Sequence, residues 1–436
     1  MGAGFLGGSG QRFAEWKRRH PKFIVGGLLT LALLLAIAGW WSWSHFAAES
    51  RLQAVRAAVA QRDWIEAESD LDSYQRLRPN DPAGLLLAAK ISRRRSRLNE
   101  AKAEIDAAEI RLGYETMGVK VERALLRLQR GDLDGTEEFL RDAVNKDPDD
   151  AVEILDLLSE ALIRDLRVAD AQACLDELLR RNPDDFDMLV RHGFAADSQG
   201  LFAVAAESLK KAVALRPEAQ EARLSLVQAL ITSAQYDEAR KHLTELRRTD
   251  PKNPAVQFAQ ARCMAYQGEK EQAAKLLDEM IAAEPDNPLL LGERGWISLE
   301  LDRPAEAEPL LRRAKSHAPH DKAILTHLAN CLRLLGKPDE ARPLLDEAKR
   351  ITEETQKTSL LNRQILEEKP KTPQPYYELG AAYARLDQQK LALHYLQKAL
   401  QKDPRYAPAH EALAALYKSV GDYDRAAIHR QQAEAK

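Results

Sequence analysis

Cysteine is scarce, with three among 436 residues, Cys174, Cys263 and Cys331, and each stands inside an apolar helical pattern. Such cysteines read as small buried hydrophobes, and their number excludes a disulfide-stapled fold. Aromatic residues are few, at 6%, while Ala, Leu, Glu, Arg and Lys abound, which favours helices over strands and makes the expected fold class all-α. No charge of one sign dominates. The net charge is −3, and outside the first residues the chain is mildly acidic, which argues against nucleic acid as a partner. Recognisable catalytic patterns are also missing: there is no H-E-x-x-H, G-x-S-x-G, P-loop or C-x-x-C, and the histidines are scattered. We therefore expect no catalytic residues, no metal site and no cofactor. Residues 2–7, GAGFLG, fit G-x-G-x-x-G in letters only, since neither a strand nor a βαβ unit accompanies them.

Formal charge is absent from Phe23 to Ala48, and the core FIVGGLLTLALLLAIAGWW is long enough to cross a bilayer as a helix. Trp40, Trp41 and Trp43 then read as an interfacial belt, and Lys17, Arg18, Arg19 and Lys22 as the positive flank that stays in the cytoplasm. The expectation is a single-pass anchor in a bacterial inner membrane, with residues 1–22 inside, 23–44 spanning and the remainder in the periplasm. Cleavage as a signal peptide near Ala38 is the alternative. A short connection, SHFAAES, would then lead into the first repeat.

What fills the rest of the chain is periodic. A small residue recurs at Ala67, Ala101, Thr136, Ala171, Ala205, Ala239, Ala273, Ala307, Ala341, Ala392 and Ala426, in steps of 34 or 35 residues apart from one of 51. A second small position keeps step with it, at Ala89, Ala124, Ser159, Gly193, Ala261, Gly295, Ala329, Gly380 and Ala414, with the larger Val227 in between. Prolines at 79, 148, 183, 217, 251, 285, 319 and 404 read as stops for the second helix of each pair. Each unit is a helix pair too small to bury its own apolar face, so copies must stack. Cys263 and Cys331 sit at equivalent places two repeats apart, too distant for the ~7 Å reach of a disulfide.

The copy running from Pro373 to Pro404 carries Tyr376, Leu379, Gly380, Tyr383, Ala392, Leu396, Ala399 and Pro404, and in these residues the chain resembles the tetratricopeptide repeat (TPR) family. That resemblance implies a right-handed solenoid of about eleven helix-turn-helix pairs. Pairs one to nine would occupy 47–352, an extra helix and linker 353–372, and pairs ten and eleven with a polar cap 373–436. It also implies that the first helix of each pair lines a concave groove, which puts Phe194, Gln228, Phe258, Arg262, Tyr266, Trp296, Asn330 and Arg333 on a partner-binding surface. Aromatic and arginine side chains anchor protein partners well. The arginines of SRRRSR, Arg93, Arg94, Arg95 and Arg97, read as a solvated helix end or as a contact for anionic lipid.

The 51-residue step suits a second helix that runs on for ~40 Å. Leu360, Leu361 and Ile365 on its far part form a candidate docking edge. Two functions follow as expectations. One is a membrane-anchored adaptor that holds a protein or peptide in its groove, in envelope protein assembly or biogenesis. The other is a structural subunit of a larger membrane complex, docked through the long helix near 341–368. Oligomeric state is not readable from the sequence.

Overall fold

The computed structural model describes residues 21–434 except 147 and 369, and the side chains of residues 33–434 except 147–149 and 369. Among the described residues there are twenty-two α-helices and no strand. Eleven turns between paired helices each carry one left-handed residue: Arg62, Ser96, Gly131, Leu166, Gly200, Ala234, Gly268, Asp302, Gly336, Asp387 and Gly421. They keep the same steps as the small residues, because a helix can reverse this tightly only through one residue of positive φ.

Helix starts and stops follow from side-chain chemistry. Asn253 and Asn287 cap helices whose first residue is proline, each accepting a backbone N–H two residues on at 3.0 Å. Asp185 does the same for Met188 at 3.0 Å, which accounts for the Asp184-Asp185 pair. Second helices close on Asn182, Arg216, Asp250, Glu284, Ala318 and Asp403, each kept out of the helical region by the proline after it. Pro148 also stands two residues past its second helix, Glu137–Lys146, but it has a further use. It opens the helix Pro148–Arg164, a position where its missing N–H costs nothing.

The chain divides into two compact units, residues 1–164 and 165–436. The boundary falls between Pro148–Arg164 and Val168–Arg181, the two helices of the fourth pair in the sequence register. In both units the small residues mark the closest helix contacts: Ala67, Ala101, Ala205, Ala273 and Ala307 are wholly buried. Gly295 is the tightest kind of case, since a Cβ there would stand 2.6 Å from Leu311 Cγ. Gly295→Val is accordingly expected to cost about 1–3 kcal/mol through overpacking, read as a lower urea midpoint at unchanged slope.

In the first unit, one helix runs without a break from Pro21 to Ala60. The expected connection SHFAAES is therefore helical, because no proline or glycine follows Gly39 before its end. Its last third supplies Ala48, Leu52, Val55 and Ala58 to the core of the first pair. Upstream, Leu33, Leu34, Leu35, Ile37, Trp40, Trp41, Trp43 and Phe46 are all more than half exposed. Among the described residues, no helix is long and apolar enough to cross a membrane. The side chains of 22–32, which include nearly half of the expected span and the Lys22 ammonium, and the basic residues Lys17, Arg18 and Arg19 lie outside what the structure describes.

In the second unit the extra length of the 51-residue step goes into one helix, Pro338–Glu368, ahead of Gln374–Arg385. Its far end does not stand free. Ile365 is 4% exposed in a core with Tyr376, Leu379, Tyr395 and Leu413, and Leu361 packs against the same core. Of the three residues expected to form a docking edge, Leu360 alone is open, at 63%. The stripe at 361 and 365 is used up by the last two pairs, which need an apolar wall at their upstream side.

Candidate partner-binding surface

The eight groove residues expected from the sequence all fall in the second unit. Four of them come together. The Tyr266 ring lies 5.2 Å from that of Trp296, the Arg262 guanidinium sits 5.9 Å from the Tyr266 ring, and Phe258 packs on the same core as Trp296. Phe194, at 56% exposure, and the exposed Gln228, Asn330 and Arg333 stand on other repeats and, among the described residues, share no side-chain hydrogen bond, ion pair or ring contact with this group.

The sequence reading missed Tyr236. It opens the second helix Tyr236–Thr249, and its ring is parallel to that of Tyr266 within 8° at 5.5 Å. Three aromatic side chains thus form a ladder across three repeats. A signal for it exists in the spacing, because 236, 266 and 296 are 30 residues apart. That step is one repeat less about one helical turn, so the three lie on a diagonal rather than in one register.

Electrostatics at the ladder are self-contained. Arg262 Nε lies 3.6 Å from Glu293 Oε1, and burial raises the Glu293 carboxyl while Arg262 works against it. By contrast, Arg333 and Asn330 have no ion pair or side-chain hydrogen bond among the described residues, nor does the Tyr266 hydroxyl or the Trp296 indole N–H. Beside the starts of the earlier first helices, a cavity of about 570 Å³ opens among Phe186, Val190, Leu224 and Val256.

The first unit treats its inner face differently, and here the expectation for the arginine run fails. Arg93 is fully buried. Its Nε donates to Glu122 Oε2 at 3.0 Å and its Nη2 to Glu153 Oε1 at 2.6 Å. Arg94 Nη2 donates to Asp156 Oδ2 at 2.9 Å, and Lys90 pairs with Glu153. Arg95 and Arg97 both pair with Glu68. Arg93 and Arg94 are therefore not a solvated helix end, whereas Arg95, at the C-cap, and Arg97 keep part of their side chains in solvent while paired with Glu68. Counting Gly380 and its equivalents as eighth, Lys90, Arg93 and Arg94 hold the ninth, twelfth and thirteenth places of the second pair, where a ligand was expected. The fourth pair's own carboxylates fill that space. Burial acts to raise Glu153, but Arg93, Lys90 and Arg94 outweigh it and hold the carboxyl down to about 2. For Glu122 burial prevails and the carboxyl is raised.

One cluster has the residue types of a hydrolase. Ser208 Oγ lies 2.7 Å from His192 Nδ1, and His192 Nε2 lies 2.9 Å from Asp176 Oδ1. Its surroundings do not suit that chemistry. Ser208 is 7% exposed in the interior of Phe202–Leu215, where backbone N–H groups are spent on the helix and leave none for an oxyanion. The aspartate is the exposed member, at 57%, whereas a triad needs it buried behind the histidine. The three residues read as a polar seam between neighbouring helices. Among the described residues, no group of three or more His, Cys, Asp or Glu side chains is placed to hold a metal ion.

Stacked helix pairs with one left-handed turn each define a helical repeat scaffold. Tetratricopeptide repeat patterns match residues 157–220, 198–263, 234–292, 298–356, 373–406 and 395–427. Together these stretches cover more than half of the sequence, and the chain belongs to the tetratricopeptide repeat family. No curated protein matches it. Among solved structures it is similar to a tetratricopeptide repeat protein from Parabacteroides merdae, with 16% identity and a TM-score of 0.47 over 53% of this chain and 91% of that one. It is also similar to human IFIT1 as a dimer with PPP-AAAA, with 15% identity and a TM-score of 0.38 over 80% and 90%. MamA from Desulfovibrio magneticus gives 17% and 0.35 over 39% and 97%. At these values none bears on what the present chain binds.

Proposed function

We propose that this protein is a membrane-tethered scaffold that holds a protein partner on the inner face of its second unit, in the assembly or biogenesis of the bacterial envelope. The observation that carries the binding reading is the Tyr236, Tyr266 and Trp296 ladder, with Tyr266 43% exposed and flanked by Arg262. Rigid aromatic rings and arginine are the side chains that contribute most when desolvated by a partner. On the first unit the corresponding places, Lys90, Arg93 and Arg94, are filled by its own ion pairs.

Support for the tether comes from residues 33–46, whose large apolar side chains are exposed on every side of the helix. A stripe would fit a partner helix, whereas exposure all round fits lipid. The uninterrupted helix across Ala38 favours a retained anchor over cleavage, and the basic residues before it favour a cytoplasmic N-terminus and a periplasmic scaffold.

Crosslinking in native membranes followed by purification of the full chain tests both parts. The tether predicts that the chain stays with the bilayer after alkaline extraction, and release would remove it. Trp296→Ala with Arg262→Ala is expected to cut partner recovery by about 30-fold, the scale of one hot spot. Undiminished recovery sinks the groove reading. Loss on Leu360→Glu instead would favour a subunit docked through the long helix.

A further inference from the structure

We infer that the aromatic ladder receives an extended, proline-rich segment that carries a carboxylate. This rests on the groove reading above and names the partner's chemistry.

Tyr236 and Tyr266 stand as near-parallel plates 5.5 Å apart, and Trp296 follows at 5.2 Å. Ridges of this kind suit pyrrolidine rings, and a polyproline II segment enters them with little conformational entropy left to lose. The hydrogen-bonding inventory points the same way. The Trp296 indole N–H has no acceptor among the described residues, and it is a donor only. The Arg333 guanidinium, likewise without a partner, is also a donor only, while the Tyr266 hydroxyl and the Asn330 amide can donate or accept. A ligand for such a surface should bring acceptors to Trp296 and Arg333. Proline has no N–H, and polyproline II leaves its carbonyls unbonded. A helical ligand would already have used its carbonyls on itself, and the described residues offer no strand edge for β-addition.

Charge selects the flank. Arg262 is matched by Glu293, but Arg333, one repeat beyond Trp296, makes no ion pair among the described residues. An acidic side chain or a C-terminal carboxylate beyond the prolines would complete it.

Calorimetric titration of the full-length protein in detergent decides the matter. The probes are a synthetic peptide of about ten prolines ending in two glutamates, its counterpart ending in two lysines, and a glycine-serine peptide with the same glutamates. The first is expected to bind about tenfold more tightly than either control. Trp296→Ala should remove that advantage over glycine-serine, and Arg333→Ala should make glutamate and lysine ends equivalent. Equal binding of the glycine-serine peptide, or proline binding that ignores Trp296→Ala, overturns the inference. If the native partner is still lost with Trp296→Ala while no proline peptide binds, the partner chemistry is wrong and the groove stands. If Trp296→Ala affects neither, both fall.

Discussion

Arg93→Ala is expected to remove about 3–5 kcal/mol from the first unit, a large part of the ~5–15 kcal/mol that keeps a domain folded. The change leaves two buried carboxylates, Glu122 and Glu153, facing a void in place of a guanidinium fork. Hydrogen exchange on the full chain reads it locally: protection in Pro82–Arg94 and Met117–Gln129 should collapse while residues 165–434 hold. Replacing the trio together, with Arg93→Met, Glu122→Leu and Glu153→Leu, should recover most of the loss, since a matched apolar set removes the desolvation cost along with the charges. Wild-type protection in the single variant would show that the network is not what holds these helices.

Acid should work on the same contacts. Glu153 sits below its unfolded value, at about 2. Its contribution is therefore complete above the ordinary carboxylate range and disappears as pH falls from there toward 2. Glu122, which is raised, takes up its proton earlier on the same descent and offsets part of that loss.

A second large effect is expected at Tyr395, which is 1% exposed. Its ring stacks 5.5 Å from Tyr383, and its hydroxyl donates to Asn362 Oδ1 at 2.5 Å. Beside it, Lys398 Nζ reaches Asp165 Oδ1 at 2.6 Å, so the start of the second unit closes onto its penultimate pair. Tyr395→Ala should cost about 3–5 kcal/mol, as for other buried aromatics, and should release residues 353–368 along with the last two pairs. Exchange there that matches wild type would show that the long helix needs no such wall. Tyr395→Phe keeps the ring and should cost about 0.5–1.5 kcal/mol, because it removes the hydrogen bond to the half-buried Asn362 oxygen.

The repeat itself was legible because close helix packing demands a small residue at one register, and Ala67 through Ala426 keep it. The turns were less so. Five of the eleven left-handed positions are glycine, but Arg62, Ser96, Leu166, Ala234, Asp302 and Asp387 fill the rest, and nothing in those side chains announces positive φ. The ladder was half visible: Tyr266 and Trp296 sit in groove registers, whereas Tyr236 belongs to the opposite helix of its pair and meets them on a diagonal. Arg93 was misread because its partners lie 29 and 60 residues away. A local run of arginines looks like a wet helix end until folding brings Glu122 and Glu153 to it.

The 40-residue helix from Pro21 to Ala60 has a mechanical consequence. A rod about 60 Å long, with no swivel between its exposed half and the half built into the first pair, makes one the handle of the other. Whatever grips residues 33–46 also sets the azimuth of that first pair. Motion of that pair relative to residues 33–46 is then limited to bending of the helix itself, and torque applied at one end arrives at the other.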